Sequence, residues 1–135
     1  MIEVDGFTFT GKVKLAWPIA GKIAALSKPQ IEKKLLCGVT EYYTEYQKMP
    51  DPGQDEITHV ILEVNAIDPD VIEVIGQFLA YNKGETTLKM LKENPELAKK
   101  AKIYPNMYGV ATKKLDGTPD IEKEAVCTID ILLDK

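Results

Sequence analysis

The sequence predicts an α+β fold, a mostly antiparallel sheet of about five strands packed against helices. Three observations predict it: period-two alternation occupies both ends of the chain, helical spacing with capping residues fills the middle, and no linker divides the 135 residues. The expected order is ββ-α-α-β-α-α-α-ββ. Residues 1–135 then form one domain, whose sheet combines an N-terminal hairpin, one central strand and a C-terminal hairpin.

Phe7, Phe9, Gly11, Val13, Leu15 and Trp17 alternate with Thr8, Thr10, Lys12, Lys14 and Ala16, the pattern of a strand with one buried face. Asp5-Gly6 before it predicts a type I′ hairpin turn from the strand Ile2-Val4. A short helix is expected from Pro18 to Leu26. Ser27 then caps a long helix to about Met49, with Ile31, Leu35, Val39, Tyr42 and Tyr46 at three- and four-residue steps. Pro50-Asp51-Pro52-Gly53 ends it. Ile57 to Val64 reads as the central strand, buried on the Thr58-Val60-Leu62-Val64 side or on both sides. Asp68-Pro69 predicts a helix through Phe78 and Leu79, with aspartate as cap and proline in the first turn. Two short helices follow, Thr86 to Glu93 and one opened by Asn94-Pro95 that ends among Lys99, Lys100 and Lys102. Tyr104 to Lys113 and Ile121 to Leu133 close the chain as strands around a loop, Leu115 to Asp120.

Composition excludes more than it selects. All 17 basic residues are lysines, so the planar fork with which arginine grips carboxylate, phosphate or guanine is missing. There is one serine, Ser27, one histidine, His59, and two cysteines, Cys37 and Cys127. Neither cysteine spacing nor histidine number supplies the three or four ligands of a zinc site, and the acidic clusters lack a calcium-loop pattern, so no metal and no cofactor is expected. His59 and both cysteines are expected to be structural. No catalytic residue is assigned. A net charge of −4 and no apolar run of membrane-spanning length point to a cytoplasmic protein without membrane contact.

Two groups stand out as candidate surfaces. Tyr42, Tyr43 and Tyr46 are candidate partner-binding residues, because a tyrosine ring offers a rigid apolar body with a polar tip. Residues 83–114 hold eight lysines against three glutamates, and Lys99, Lys100, Lys102, Lys113 and Lys114 form a candidate cationic surface. The acidic whole and the lack of arginine argue against nucleic acid as its partner. Exposed strand edges at both ends of the chain, Ala125 to Leu133 above all, predict a homodimer or partner contact through a terminal strand or Tyr43.

The opening Ile2-Glu3-Val4-Asp5-Gly6-Phe7-Thr8-Phe9 resembles the strand-turn-strand start of many small tailed-phage proteins, tail assembly chaperones among them. That resemblance implies a phage or mobile-element setting and assigns no residue a role. The reading that emerges is a non-enzymatic interaction protein, an assembly factor, adaptor or inhibitor. Its alternative is a small-molecule binder or minor enzyme with a pocket between sheet and helices.

Overall fold

A computed structural model describes residues 1–47, 52–108, 112–113, 115–116, 119–120 and 125–134. The α+β class is as expected, but its strands are divided between two main sheets. Strand β1 (Ile2–Asp5) and strand β2 (Thr8–Lys14) form the N-terminal hairpin, closed at Asp5↔Thr8. The two loop residues are therefore Gly6 and Phe7, and of these only Gly6 has positive φ, +61°. Positive φ at the first central position alone marks a type II′ turn, one residue later than the expected type I′.

Helix α1 (Ala20–Glu32) runs unbroken through Ser27. The serine is no cap: its hydroxyl donates to Ile23 O at 2.8 Å within the helix and joins Ala20 and Ile23 on the buried face. The long helix expected to Met49 does not form over the described residues; Met49 itself lies outside them. The Lys34 N–H bonds Ile31 O and the Leu35 N–H bonds Gln30 O, each at 2.9 Å, with Lys34 at φ 59°. These paired bonds are a Schellman closure. Beyond it the chain becomes strand β3 (Cys37–Gly38), strand β4 (Thr40–Tyr42) and a 3₁₀ turn (Tyr43–Glu45). Glycine and β-branched residues at 38 to 40 resist helix and suit a crowded strand.

Strand β5 (His59–Asp68) and strand β6 (Val71–Phe78) are a hairpin turning at Pro69-Asp70, where a helix was expected. Asp-Pro serves a turn as well as a cap, and Ile72, Val74, Gly76 and Phe78 keep strict alternation, all of them buried. The buried side chains along this segment are Thr58, His59, Ile61 and Val64, so of the expected Thr58-Val60-Leu62-Val64 face Thr58 and Val64 are buried while Val60 is half-buried and Leu62 exposed. A bulge between Ile61 and Glu63 inserts Leu62 and shifts the parity. The resulting sheet is antiparallel, in the order β1-β2-β6-β5-β3.

Helix α2 (Asn82–Glu93) starts a turn earlier than expected and takes Gly84 inside. A Cβ at Gly84 would lie 2.6 Å from Leu79 O and 2.7 Å from Thr58 O, so only glycine lets the helix sit this close. Helix α3 (Pro95–Lys100) begins at proline and ends in lysines, as expected. Strand β7 (Lys102–Tyr108), strand β8 (Thr112–Lys113), strand β9 (Pro119–Asp120) and strand β10 (Ala125–Leu133) complete the fold. β8 precedes the expected loop Leu115 to Asp120, and β9, which pairs with it, takes up the last two residues of that loop; Gly117 and Thr118 are outside the described residues.

The C-terminal hairpin does not extend the first sheet. It forms a second one, β4-β10-β7, with β10 antiparallel to β7 and parallel to β4. The edge exposure expected of Ala125 to Leu133 is therefore overturned, because β10 is flanked on both sides and buried from Thr128 to Leu133. A bulge between Val126 and Thr128 leaves Cys127 half-buried. Val39 turns the corner between sheets: its N–H bonds Asp130 Oδ1 at 3.0 Å and its carbonyl accepts from Ile131 N at 2.9 Å. Opposite, a Cβ on Gly11 would lie 2.8 Å from Ile103 Cγ1, so the sheets meet face to face there. Phe9, Ile72, Val74, Phe78, Ile103, Ile129 and Ile131 fill the space between, with Ile23 of α1 in the same core.

Candidate functional site

The corner joins two features, a buried polar seam and an exposed cleft. The seam runs along the junction of β3, β5 and β10. His59 is fully buried, with Nε2 2.7 Å from Ile129 O and Nδ1 2.7 Å from Thr58 Oγ1. A carbonyl only accepts, so Nε2 carries the proton and Nδ1 accepts from the Thr58 hydroxyl. Thr58 Oγ1 in turn accepts from Thr40 Oγ1 at 2.8 Å. The imidazole is thus neutral with both nitrogens engaged, and burial lowers its pKa to about 4. Phe9 and Phe78 meet the ring edge to face, at centroid distances of 5.1 and 6.2 Å. A Cβ on Gly38 would overlap both Ile129 O and His59 Nε2 and lie 2.8 Å from the Ile129 carbonyl carbon.

One residue along β10, Asp130 gathers three donors: the Val39 N–H, the Thr128 hydroxyl at 3.0 Å and the Tyr46 hydroxyl. Burial pushes its carboxyl pKa up, against the lowering effect of those hydrogen bonds. Burial and the same carboxylate push the Tyr46 phenol well above its ordinary range. Tyr46 also packs on Tyr104 at 5.6 Å, so its ring is committed to the fold.

A hydroxyl on an imidazole is the arrangement of a nucleophile and its base. Here Thr58 is 1% exposed and His59 is 0% exposed, so neither meets a substrate, and a backbone carbonyl stands where a third side chain would orient the base. Ser27 is equally buried and bonded within its own helix. Among the described residues no three His, Cys, Asp or Glu side chains converge as metal ligands.

The cleft lies beyond the open end of β4 and β10. Tyr43, 67% exposed, shares a cavity of about 270 Å³ with Lys100, Lys102, Leu132, Leu133 and Asp134. A second cavity, of about 320 Å³, shares Lys100 and Asp134 with it and includes Tyr42, Met90 and Leu97. The parallel pairing Leu133↔Tyr42 brings the tyrosine segment to the end of β10, and the end of α3 delivers Lys100 to the same place. Of the tyrosines proposed from sequence, Tyr43 faces out, Tyr42 is half-buried with its hydroxyl 3.8 Å from Met90 Sδ, and Tyr46 turns inward. Of the lysines, Lys100 and Lys102 line the cleft, while Lys99 pairs with Glu96 at 3.3 Å on the surface. Lys113 belongs to β8, and Lys114 lies outside the described residues. Sequence reasoning missed Thr40, Thr58 and Asp130, whose only local signal was a polar residue inside an apolar strand run.

Among the described residues no helix is long and apolar enough to cross a membrane. No protein-family model and no curated protein matches the sequence. Among solved structures, the fold is similar to that of gp21, the capsid assembly protease of bacteriophage T4, with a TM-score of 0.64 and 10% sequence identity over 92% of this chain and 81% of that one.

Proposed function

We propose that this chain is a non-enzymatic interaction protein, an assembly factor, adaptor or inhibitor of phage or mobile-element origin, working in the host cytoplasm or the virion. The observation that carries the reading is the sealed state of the hydroxyl–imidazole seam. In a fold shared with a capsid assembly protease, the Thr58 hydroxyl and the His59 imidazole are instead spent holding two sheets together, and the Ser27 hydroxyl is bonded within α1. The contact surface is the cleft: Tyr43 is the aromatic anchor, and Lys100 and Lys102 are mobile cations that select an acidic segment of a protein partner or of a second copy. Nucleic acid is not its partner, because a surface of lysines beside Asp134 lacks both forks and uniform charge.

The test is a photoreactive side chain at position 43. A discrete protein adduct, lost when Lys100 and Lys102 are both changed to glutamine in a protein of unchanged melting temperature, supports the reading. An adduct indifferent to those lysines, or none above that of a probe at exposed Leu115, removes the cleft as the contact surface.

A further inference from the structure

β5 is paired along the whole of one side and along only the start of the other. β3 covers it at His59 and Val60, and the Ile61 N–H bonds Leu36 O at 2.9 Å. From Leu62 to Asp68, among the described residues, no strand pairs with that side. Seven residues at ~3.4 Å each make an open edge of ~24 Å, long enough for a full partner strand. This stretch contains no lysine or proline, and Leu62 and Ile67 are 39% and 44% exposed; its protection is confined to two acids, Glu63 and Asp68, and to bulges at Leu62 and Ile67. A groove of about 480 Å³ lies along it, between β5 and the flank of α1. Ala24 and Ala25 keep the helix wall low, Ile31 and Leu62 make the floor apolar, and Glu32 and Glu63 stand at the rim.

We infer that this groove accepts an extended, lysine- or arginine-bearing segment of another protein, which adds to β5 as a new strand. Backbone hydrogen bonds to the open edge supply affinity, alternate side chains enter the apolar slot, and the intervening ones meet the acids. Charge chooses the occupant. Glu32, Glu63 and Asp68 outnumber Lys28 along the groove and the open edge. The β1 and β5 edges of a second copy are poor partners, because β1 would bring Glu3 and Asp5 and β5 would bring Glu63 and Asp68, in both cases like charge against like. The inference is independent of the Tyr43 cleft.

The probe is an end-blocked, fluorescein-labelled peptide of alternating lysine and valine, followed by anisotropy and by amide hydrogen exchange. Binding is expected to protect amides within 62–68. A peptide N-methylated at every second amide and one with glutamate for lysine are each expected to bind at least about tenfold more weakly. These changes leave the protein untouched, so folding does not confound them. Glu63→Lys should narrow the preference for the lysine peptide over the glutamate peptide, and Tyr43→Ala should leave it unchanged. Protection elsewhere or nowhere, equal affinity for either control peptide, or self-association through β5 would overturn the inference.

Discussion

Acid should unfold this protein through His59. Its pKa falls from 6.5 in the unfolded chain to about 4 in the fold, so below pH 6.5 the unfolded imidazole takes a proton that the buried one refuses. Stability is therefore complete above pH 6.5 and declines as pH falls towards 4. A gap of that size is worth about 3 kcal/mol at 1.36 kcal/mol per pKa unit. Asp130 acts with the opposite sign: its raised carboxyl is protonated first in the fold, which favours folding in acid and offsets part of the loss. His59→Asn removes the titrating group, so its urea-unfolding free energy should be flat or rise slightly from pH 6.5 to 4 while the wild type falls. His59→Ala removes the donor to Ile129 O and the acceptor of the Thr58 hydroxyl, and it empties the space between Phe9 and Phe78. It should cost about 3–5 kcal/mol at pH 7. A wild type with no decline between pH 6.5 and 4, or a His59→Ala variant within about 1 kcal/mol of it, would refute the account of the seam.

Other substitutions test the neighbouring contacts. Gly38→Ala drives a methyl into the Ile129 carbonyl and the His59 ring and should cost more than about 3 kcal/mol in urea unfolding, because backbone cannot step aside. Asp130→Ala strands three donors and should lower the urea midpoint by the equivalent of about 3–5 kcal/mol, whereas Asp130→Asn, which keeps one acceptor oxygen, should cost less. Lys34→Gly relieves a side chain held at φ 59° in the helix-end closure and should raise stability by about 0.5–1 kcal/mol, read as a higher melting temperature. Tyr43→Ala, at an exposed position, should change stability by under about 0.5 kcal/mol and so isolate any loss of partner binding.

Elements whose signals are local were legible: the Gly6 hairpin, the proline that opens α3 with lysines at its end, and the C-terminal hairpin. Two misread segments show why the rest was not. Residues 34–46 carry tyrosines four apart, which suits a helix, but the strand conformation is imposed by β5 and β10, whose pairing partners lie far along the chain. Val71 to Phe78 satisfied both helical and alternating patterns, and Asp68-Pro69 both a cap and a turn, so local chemistry could not choose. Bulges at Leu62 and Cys127 then shifted which face is buried, a one-residue effect without a sequence signature. The candidate site was legible in its parts alone: Tyr43 and Lys100 were singled out separately, and only the closure of β4 on β10 brings them together. The partner of His59 sits 70 residues away on a backbone carbonyl, which no side-chain pattern reveals.

The most direct test of a sealed, structural seam is turnover. Peptide-bond hydrolysis of a mixed casein digest should be followed by mass spectrometry, with wild type and Thr58→Val side by side at matched folded fraction. The valine keeps the shape of the threonine and removes the hydroxyl that bonds His59. The account predicts no cleavage above the enzyme-free background from either protein. Cleavage by the wild type that disappears in folded Thr58→Val would contradict it, and would make the seam an active centre that opens to substrate.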